Sequence, residues 1–303
     1  MSRSDVIPAT VPLGPKAGLS AVIELLKPIT WFAPMWAYGC GVISAGAGTF
    51  DRWPAALTGA ILAGPLVCGA SQALNDWFDR DVDAINEPGR PIPSGRIPGR
   101  LGLHIALACG ALAVCFAAWM GPAVFAAAMC GLSLGWAYSA PPFRLKRNGW
   151  LSTAVCAACY EGLPWFTGAA AVTGKVPSAV IITLCVLFSI GAQGIMTLND
   201  FKSVEGDRRL GLNSLPVLLG IGNTALLACT VMAASQLAVI ATLMAAGRPV
   251  HAAIIVGLVA IQLFLMPRLL ASPEARAPWY NATGTTLFVL GMLVAAFAVR
   301  SLT

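Results

Sequence analysis

Asn75, Asp79 and Asp83 recur at every fourth position, so on a helix they fall within an arc of roughly 80°. Three oxygen-bearing side chains stacked over two turns suit a hard cation. Mg²⁺ in particular combines a few carboxylates with waters and phosphate oxygens. The same wording returns 124 residues later, where Leu74-Asn75-Asp76-Trp77 is echoed by Leu198-Asn199-Asp200-Phe201. That second phrase runs on through Lys202, Ser203 and Glu205 to Asp207. Asp200 and Asp207, seven apart, lie within about 20° of each other on a continuous helix, unless Gly206 ends it sooner, and Glu205 should point elsewhere. The two phrases hold seven of the chain's 13 acidic residues. Acids of a merely solvated loop would not reproduce the Leu-Asn-Asp-aromatic order twice.

A duplicated cation site suits one anion held between two metals, a diphosphate above all. Two acidic clusters alone would repel it, so metal must bridge them and basic residues must cover the remaining oxygens. Candidates are Arg80, Arg90, Lys146, Arg147, Lys202 and Arg208, some of which must serve only as membrane anchors.

The elements that must position these residues are membrane helices. Mean hydropathy is +0.77, 57% of the 303 residues are hydrophobic and 11% are charged, against roughly 25% charged in soluble domains. Nine apolar stretches are long enough to cross a bilayer: about 29–48, 54–75, 101–120, 122–139, 150–172, 177–198, 222–246, 250–271 and 282–301. Gly121-Pro122 is the tightest joint. With nine crossings and a cytoplasmic amino terminus, 15 of the 19 Lys and Arg face the cytoplasm and four face outside. The positive-inside bias therefore puts both acidic phrases in the cytoplasm, and it accounts for the net charge of +6 without a nucleic-acid partner. The expectation is an all-α polytopic membrane protein with a central cavity, in which a cytoplasmic segment, 1–28, precedes a transmembrane domain, 29–303. Residues 1–20 read as neither a cleavable signal nor a transit peptide, and a bacterial inner membrane is the simplest location. All nine cysteines fall inside expected helices, and Cys156 and Cys159 read as packing residues despite their Cys-x-x-Cys spacing.

Asn75-x-x-x-Asp79-x-x-x-Asp83, Tyr138 to Lys146, and Glu205-Gly-Asp-Arg208 resemble the UbiA-type membrane prenyltransferases over nearly the whole chain. The stretches 75–95, 138–147, 163–165 and 199–208 look like the chlorophyll and bacteriochlorophyll synthase branch. One departure is Ser203, where many members of the wider superfamily carry an Asp; it is left as a weak ligand or a bystander. The resemblance implies a prenyl diphosphate held through Mg²⁺ at Asp79, Asp83, Asp200 and Asp207, with Asn75 as a further ligand. It implies a chlorophyllide-type macrocycle as acceptor, with bacteriochlorophyllide a preferred to chlorophyllide a because the short amino terminus and the overall wording suit the bacterial group. The expected product is an ester between the macrocycle's propionate and a C20 prenyl chain, geranylgeranyl or phytyl.

Glu161 is the one acid inside an apolar span, about 16 Å into the fifth helix. An intramembrane carboxylate is a functional candidate by default, and here it is weighed evenly against a helix-bridging role. With Tyr160 and Trp165 it is assigned to the acceptor cavity. Gln72 and Gln193 sit below the acids of each phrase, and helix packing is the preferred account of both. A transporter would place its ion site near the midplane, whereas these acids cluster at one surface.

Overall fold

The structure is a computed structural model that describes residues 18–46, 52–209 and 211–302. The expected amino-terminal segment is therefore described only from Gly18 onward. The described residues are all helical apart from loops and one isolated bridge between Asn148 and Asn213. We number the helices α1 (Leu19–Leu26), α2 (Phe32–Ser44), α3 (Trp53–Asn86), α4 (Leu101–Met120), α5 (Pro122–Ser139), α6 (149–173), α7 (Ala179–Arg209), α8 (Leu215–Leu219), α9 (Ile221–Ala245), α10 (Pro249–Ala271) and α11 (Pro273–Val299).

Seven of these are long and apolar enough to cross a membrane: α3, α4, α5, α7, α9, α10 and α11. The expected first span, 29–48, is a tight turn, Pro28–Trp31, followed by the 13 residues of α2; residues 47 and 48 lie outside the described part. The expected fifth span, 150–172, is α6. The joint at Gly121 is as tight as expected, its φ of +118° being open to glycine. The first acidic phrase continues the helix of the second span as far as Asn86, whereas residues 273–282, mostly outside the expected spans, form the first part of α11, which breaks at Thr283.

Small residues let the helices approach closely, as is common inside membranes. A Cβ on Gly41 of α2 would lie 2.0 Å from the Trp165 carbonyl oxygen, and one on Gly168 of α6 would lie 2.1 Å from that of Tyr38. The same reasoning joins α7 to α9, where a Cβ on Gly194 would meet the Ala228 carbonyl oxygen at 2.4 Å.

Two helices contain a wider turn, Leu62–Cys68 in α3 and Ala158–Gly162 in α6. Such π-type turns carry one extra residue and are frequent at functional sites. Pro65 lies in the first, where its missing N–H would otherwise interrupt an α-helical ladder. The two turns meet through Tyr160: its hydroxyl accepts a hydrogen bond from Gln72 Nε2 at 2.9 Å and lies 3.8 Å from Cys68 Sγ.

Candidate active site

The middle of α3, the last residues of α5, and parts of α6 and α7 converge on a cavity of ≈ 820 Å³. Asn75, Tyr138, Ser139, Asp200, Lys202 and Ser203 line its polar part. The α5–α6 loop is pinned from below. Gly149 N–H donates to the Asn213 carbonyl oxygen at 2.8 Å, and Asn213 N–H donates to that of Arg147 at 3.2 Å. Gly149 leaves no room for a side chain there, since a Cβ would lie 2.6 Å from the Leu215 nitrogen. This stitching fixes Lys146 opposite α3.

Within α3 the expected helical face is present. Asn75 lines the cavity and its Nδ2 donates to Ser139 Oγ at 3.3 Å, leaving the side-chain oxygen available. Asp79 pairs with Lys146, and Asp83 accepts from Arg90 Nη1 at 2.8 Å. Burial lowers the Lys146 pKa from the ordinary lysine value, and the neighbouring Asp79 carboxylate opposes that shift. Arg90 also grips Glu87, at 2.6 Å from Nε to Oε2.

The duplicated Asp76 does different work from Asp200. It lies about 100° around the helix from Asn75, is only 1% exposed, and takes Lys27 Nζ at 2.7 Å, with Arg90 Nη1 3.5 Å away. Sequence reasoning passed over Asp76 and Lys27. The signal that could have found Asp76 was an acid one position off the polar face, where burial demands a cation.

In α7 the geometry differs from a uniform helix. Asp200–Ser203 is a tighter 3₁₀ turn and Val204–Arg209 is α-helical, so Gly206 does not end the helix. The seven-residue angle therefore does not apply as calculated. Ser203 Oγ lies 3.2 Å from Asp207 Oδ2 and 3.0 Å from the Asp200 carbonyl oxygen, so its single proton can serve either. Glu205 points elsewhere as expected, pairing with Arg208 and Arg209 at the exposed surface. Asn199, which sequence reasoning did not single out as a site residue, is on the cavity wall, and its Oδ1 accepts from Asn281 Nδ2 at 2.9 Å. Its place in the repeated Leu-Asn-Asp order, matching Asn75, was the available clue.

The basic candidates divide. Lys146 and Arg90 meet the first phrase, and Lys202 lines the cavity. Arg80 lies over the Trp77 ring, 4.4 Å from its centroid, and donates to the Trp77 carbonyl oxygen. Arg208 is spent on Glu205, and Arg147 is exposed; none of these three lines the cavity.

Tyr160 and Glu161 line the cavity, whose body is otherwise largely apolar. Glu161 is 3% exposed and its Oε2 has no hydrogen-bond partner among the described residues. Trp165 corrects the expectation. It is fully buried away from the cavity, with its ring stacked 5.3 Å from that of Phe188 and its Nε1 donating to Ser44 Oγ at 3.1 Å. The α6 wall follows Tyr160, Leu163, Pro164 and Thr167, and Trp165 falls one residue, about 100°, off that stripe. Cys156 and Cys159 are unpaired and line the cavity, and Gln72 lines it while tying α3 to α6.

Among the described residues no three His, Cys, Asp or Glu side chains cluster closely enough to hold a metal unaided. The donors are all hard oxygens, however: Asn75, Asp79, Asp83, Asp200 and Asp207. Such a set fits Mg²⁺ that completes its coordination with water and substrate phosphate oxygens.

The chain matches the model of the UbiA prenyltransferase family over residues 34–290. It is 56% identical to the bacteriochlorophyll synthase 33 kDa chain of Cereibacter sphaeroides, with 93% of each chain covered. The Rhodobacter capsulatus protein of the same name is 48% identical, over 93% of this chain and 94% of that one. Among solved structures, a UbiA homolog from Archaeoglobus fulgidus bound to GPP and Mg²⁺ superimposes with a TM-score of 0.67 at 20% identity, covering 92% of this chain and 99% of that one. The fold, a cavity reached by Asn75 of one phrase and Asp200 of the other, and the extent of these matches lead to one conclusion: the chain belongs to the UbiA prenyltransferase family.

Proposed function

We propose that the chain esterifies bacteriochlorophyllide a with a C20 prenyl group from its diphosphate, geranylgeranyl or phytyl, at a bacterial membrane. The observation that carries this reading is a single cavity whose polar part is lined by residues of both acidic phrases and whose body is apolar. Such a shape suits a substrate with a charged head and a long hydrocarbon tail. The identity to the two bacteriochlorophyll synthase chains supports the acceptor.

Asn75, Asp79 and Asp83 would hold one Mg²⁺ and Asp200 and Asp207 a second, with Ser203 steadying Asp207. Bound there, Mg²⁺ would draw electron density from the diphosphate and make it a better leaving group. Lys146 and Lys202 neutralise the remaining charge on the diphosphate oxygens. Asp79 and Asp83 are held by Lys146 and Arg90 in the structure, and with Mg²⁺ bound these cations would be released from the carboxylates to face the diphosphate. The allylic C–O bond breaks with its electron pair going to the diphosphate. A propionate oxygen of the macrocycle forms the new bond to the same carbon, and diphosphate leaves. A carboxylate is already ionised near neutral pH, so no strong general base is required.

Nine crossings, counting α2 and α6, with the amino terminus and both phrases on the cytoplasmic side, complete the proposal. The purified chain should convert labelled prenyl diphosphate and bacteriochlorophyllide a to the ester only with Mg²⁺ present. Faster turnover of chlorophyllide a would reassign the acceptor, and turnover unaffected by removing divalent ions would refute the metal assignment.

A further inference from the structure

The two duplicated asparagines have been given opposite polarity by their neighbours. In the first phrase, Asn75 uses Nδ2 to reach Ser139 and keeps its oxygen available. In the second, Asn199 uses Oδ1 to accept from Asn281 and keeps its amide hydrogens available. Asn281 is itself held in this sense, since its Oδ1 accepts from Thr285 Oγ1 at 3.2 Å. A carbonyl oxygen suits a cation, and an amide N–H suits an anion. All four of Asn75, Asn199, Asn281 and Thr285 line the same cavity.

We infer that Asn199, oriented by Asn281 and Thr285, donates its amide hydrogens to the carboxylate of the acceptor and so fixes the nucleophile beside the leaving group. This deepens the proposed function and rests on its acceptor being a carboxylate. The diphosphate already has Lys146, Lys202 and the metal sites to cover its charge. The acceptor carboxylate needs a holder that is not another full positive charge, because a cation would tie down the lone pairs that must attack carbon. A neutral amide orients one oxygen and leaves the other reactive. The position is also right for a molecule with an apolar body. One turn beyond Thr285, α11 contributes Val289 and Leu290 to the cavity wall. Asn281 and Thr285 are then positioning residues, and Asn199 is the group that touches substrate.

The test uses the purified full chain and follows visible absorption as it binds bacteriochlorophyllide a or the same pigment with its propionate methylated. The wild-type chain should prefer the free acid. Asn199→Leu, which keeps volume but removes the donor, should weaken acid binding about tenfold or more, the size of a hydrogen bond to a charged group. Methyl-ester and prenyl diphosphate binding should stay unchanged, and Asn199→Gln should recover part of the loss. If Asn199→Leu does not fold, Asn281→Ala, which frees Asn199 to rotate, must show the same selective loss to a smaller degree. Equal wild-type affinity for acid and ester, or a loss confined to prenyl diphosphate, would overturn the inference. Wild-type ester formation is measured first, so failure of the overall reading is seen separately.

Discussion

The pairing of Lys146 with Asp79 makes a prediction with two opposite signs. Both groups are partly buried, with side chains 16% and 27% exposed, so their interaction is not that of a free surface pair. On the proposed function, Lys146 would compete with metal for Asp79, and Asp79 would compete with diphosphate for Lys146. Lys146→Met should therefore strengthen Mg²⁺ binding to the substrate-free protein and weaken prenyl diphosphate binding. Asp79→Asn should do the reverse, weakening Mg²⁺ binding and tightening metal-free diphosphate binding while abolishing most turnover. A hydrogen bond to a charged group contributes about 1.5–3 kcal/mol, so each shift should fall between roughly ten- and 150-fold. Calorimetric titration with Mg²⁺, with Mn²⁺ followed by electron paramagnetic resonance as a check, reads the first quantity. Equilibrium binding of labelled prenyl diphosphate without divalent ions reads the second. If both variants weaken metal binding alike, the pair is a structural brace and the competition argument fails.

Asp207→Ala should remove most turnover, whereas Glu205→Ala should stay within a few-fold of wild type, because Glu205 pairs with exposed Arg208 and Arg209; equal losses in a turnover assay would show that the two acids share a role. Glu161→Gln keeps the shape of a buried cavity-lining side chain and should alter apparent affinity for the pigment while leaving prenyl diphosphate binding unchanged. A selective loss of prenyl diphosphate binding would place the head group deeper than the acidic mouth. Single cysteines introduced near 88, 145 and 205 should react with a membrane-impermeant thiol reagent only from the cytoplasmic side, and one at 302 only from outside. Labelling of 88 and 205 from opposite faces would separate the two phrases and remove the shared site.

What could be read from the sequence was whatever stood out against an apolar background. A handful of acids in so hydrophobic a chain can be placed by periodicity, so Asn75, Asp79 and Asp83 fell on one face as anticipated. Glu161 was conspicuous for the same reason. Trp165 was not legible, because aromatic residues suit both a cavity and a helix crossing, and proximity to Glu161 in sequence does not tell one from the other. The angle between Asp200 and Asp207 depended on a uniform pitch that the 3₁₀ turn removes. Asp76 and Lys27 are 49 residues apart, and no local pattern announces an ion pair over that distance. Asn199 was visible in the repeat, but its meaning depended on Asn281, which lies in what hydropathy read as a loop before the last span.

The wide turn at Leu62–Cys68 has a consequence for how α3 tolerates change. Because the turn holds one surplus residue, it works as an indexing joint between the half that faces neighbouring helices and the half that carries the acids. Deleting a single residue within it would restore ordinary helical pitch, and the loss would hardly register in hydropathy or length. Yet it would rotate Asn75, Asp79 and Asp83 together by about 100° relative to the other half, turning Asn75 away from the cavity and Asp79 away from Lys146.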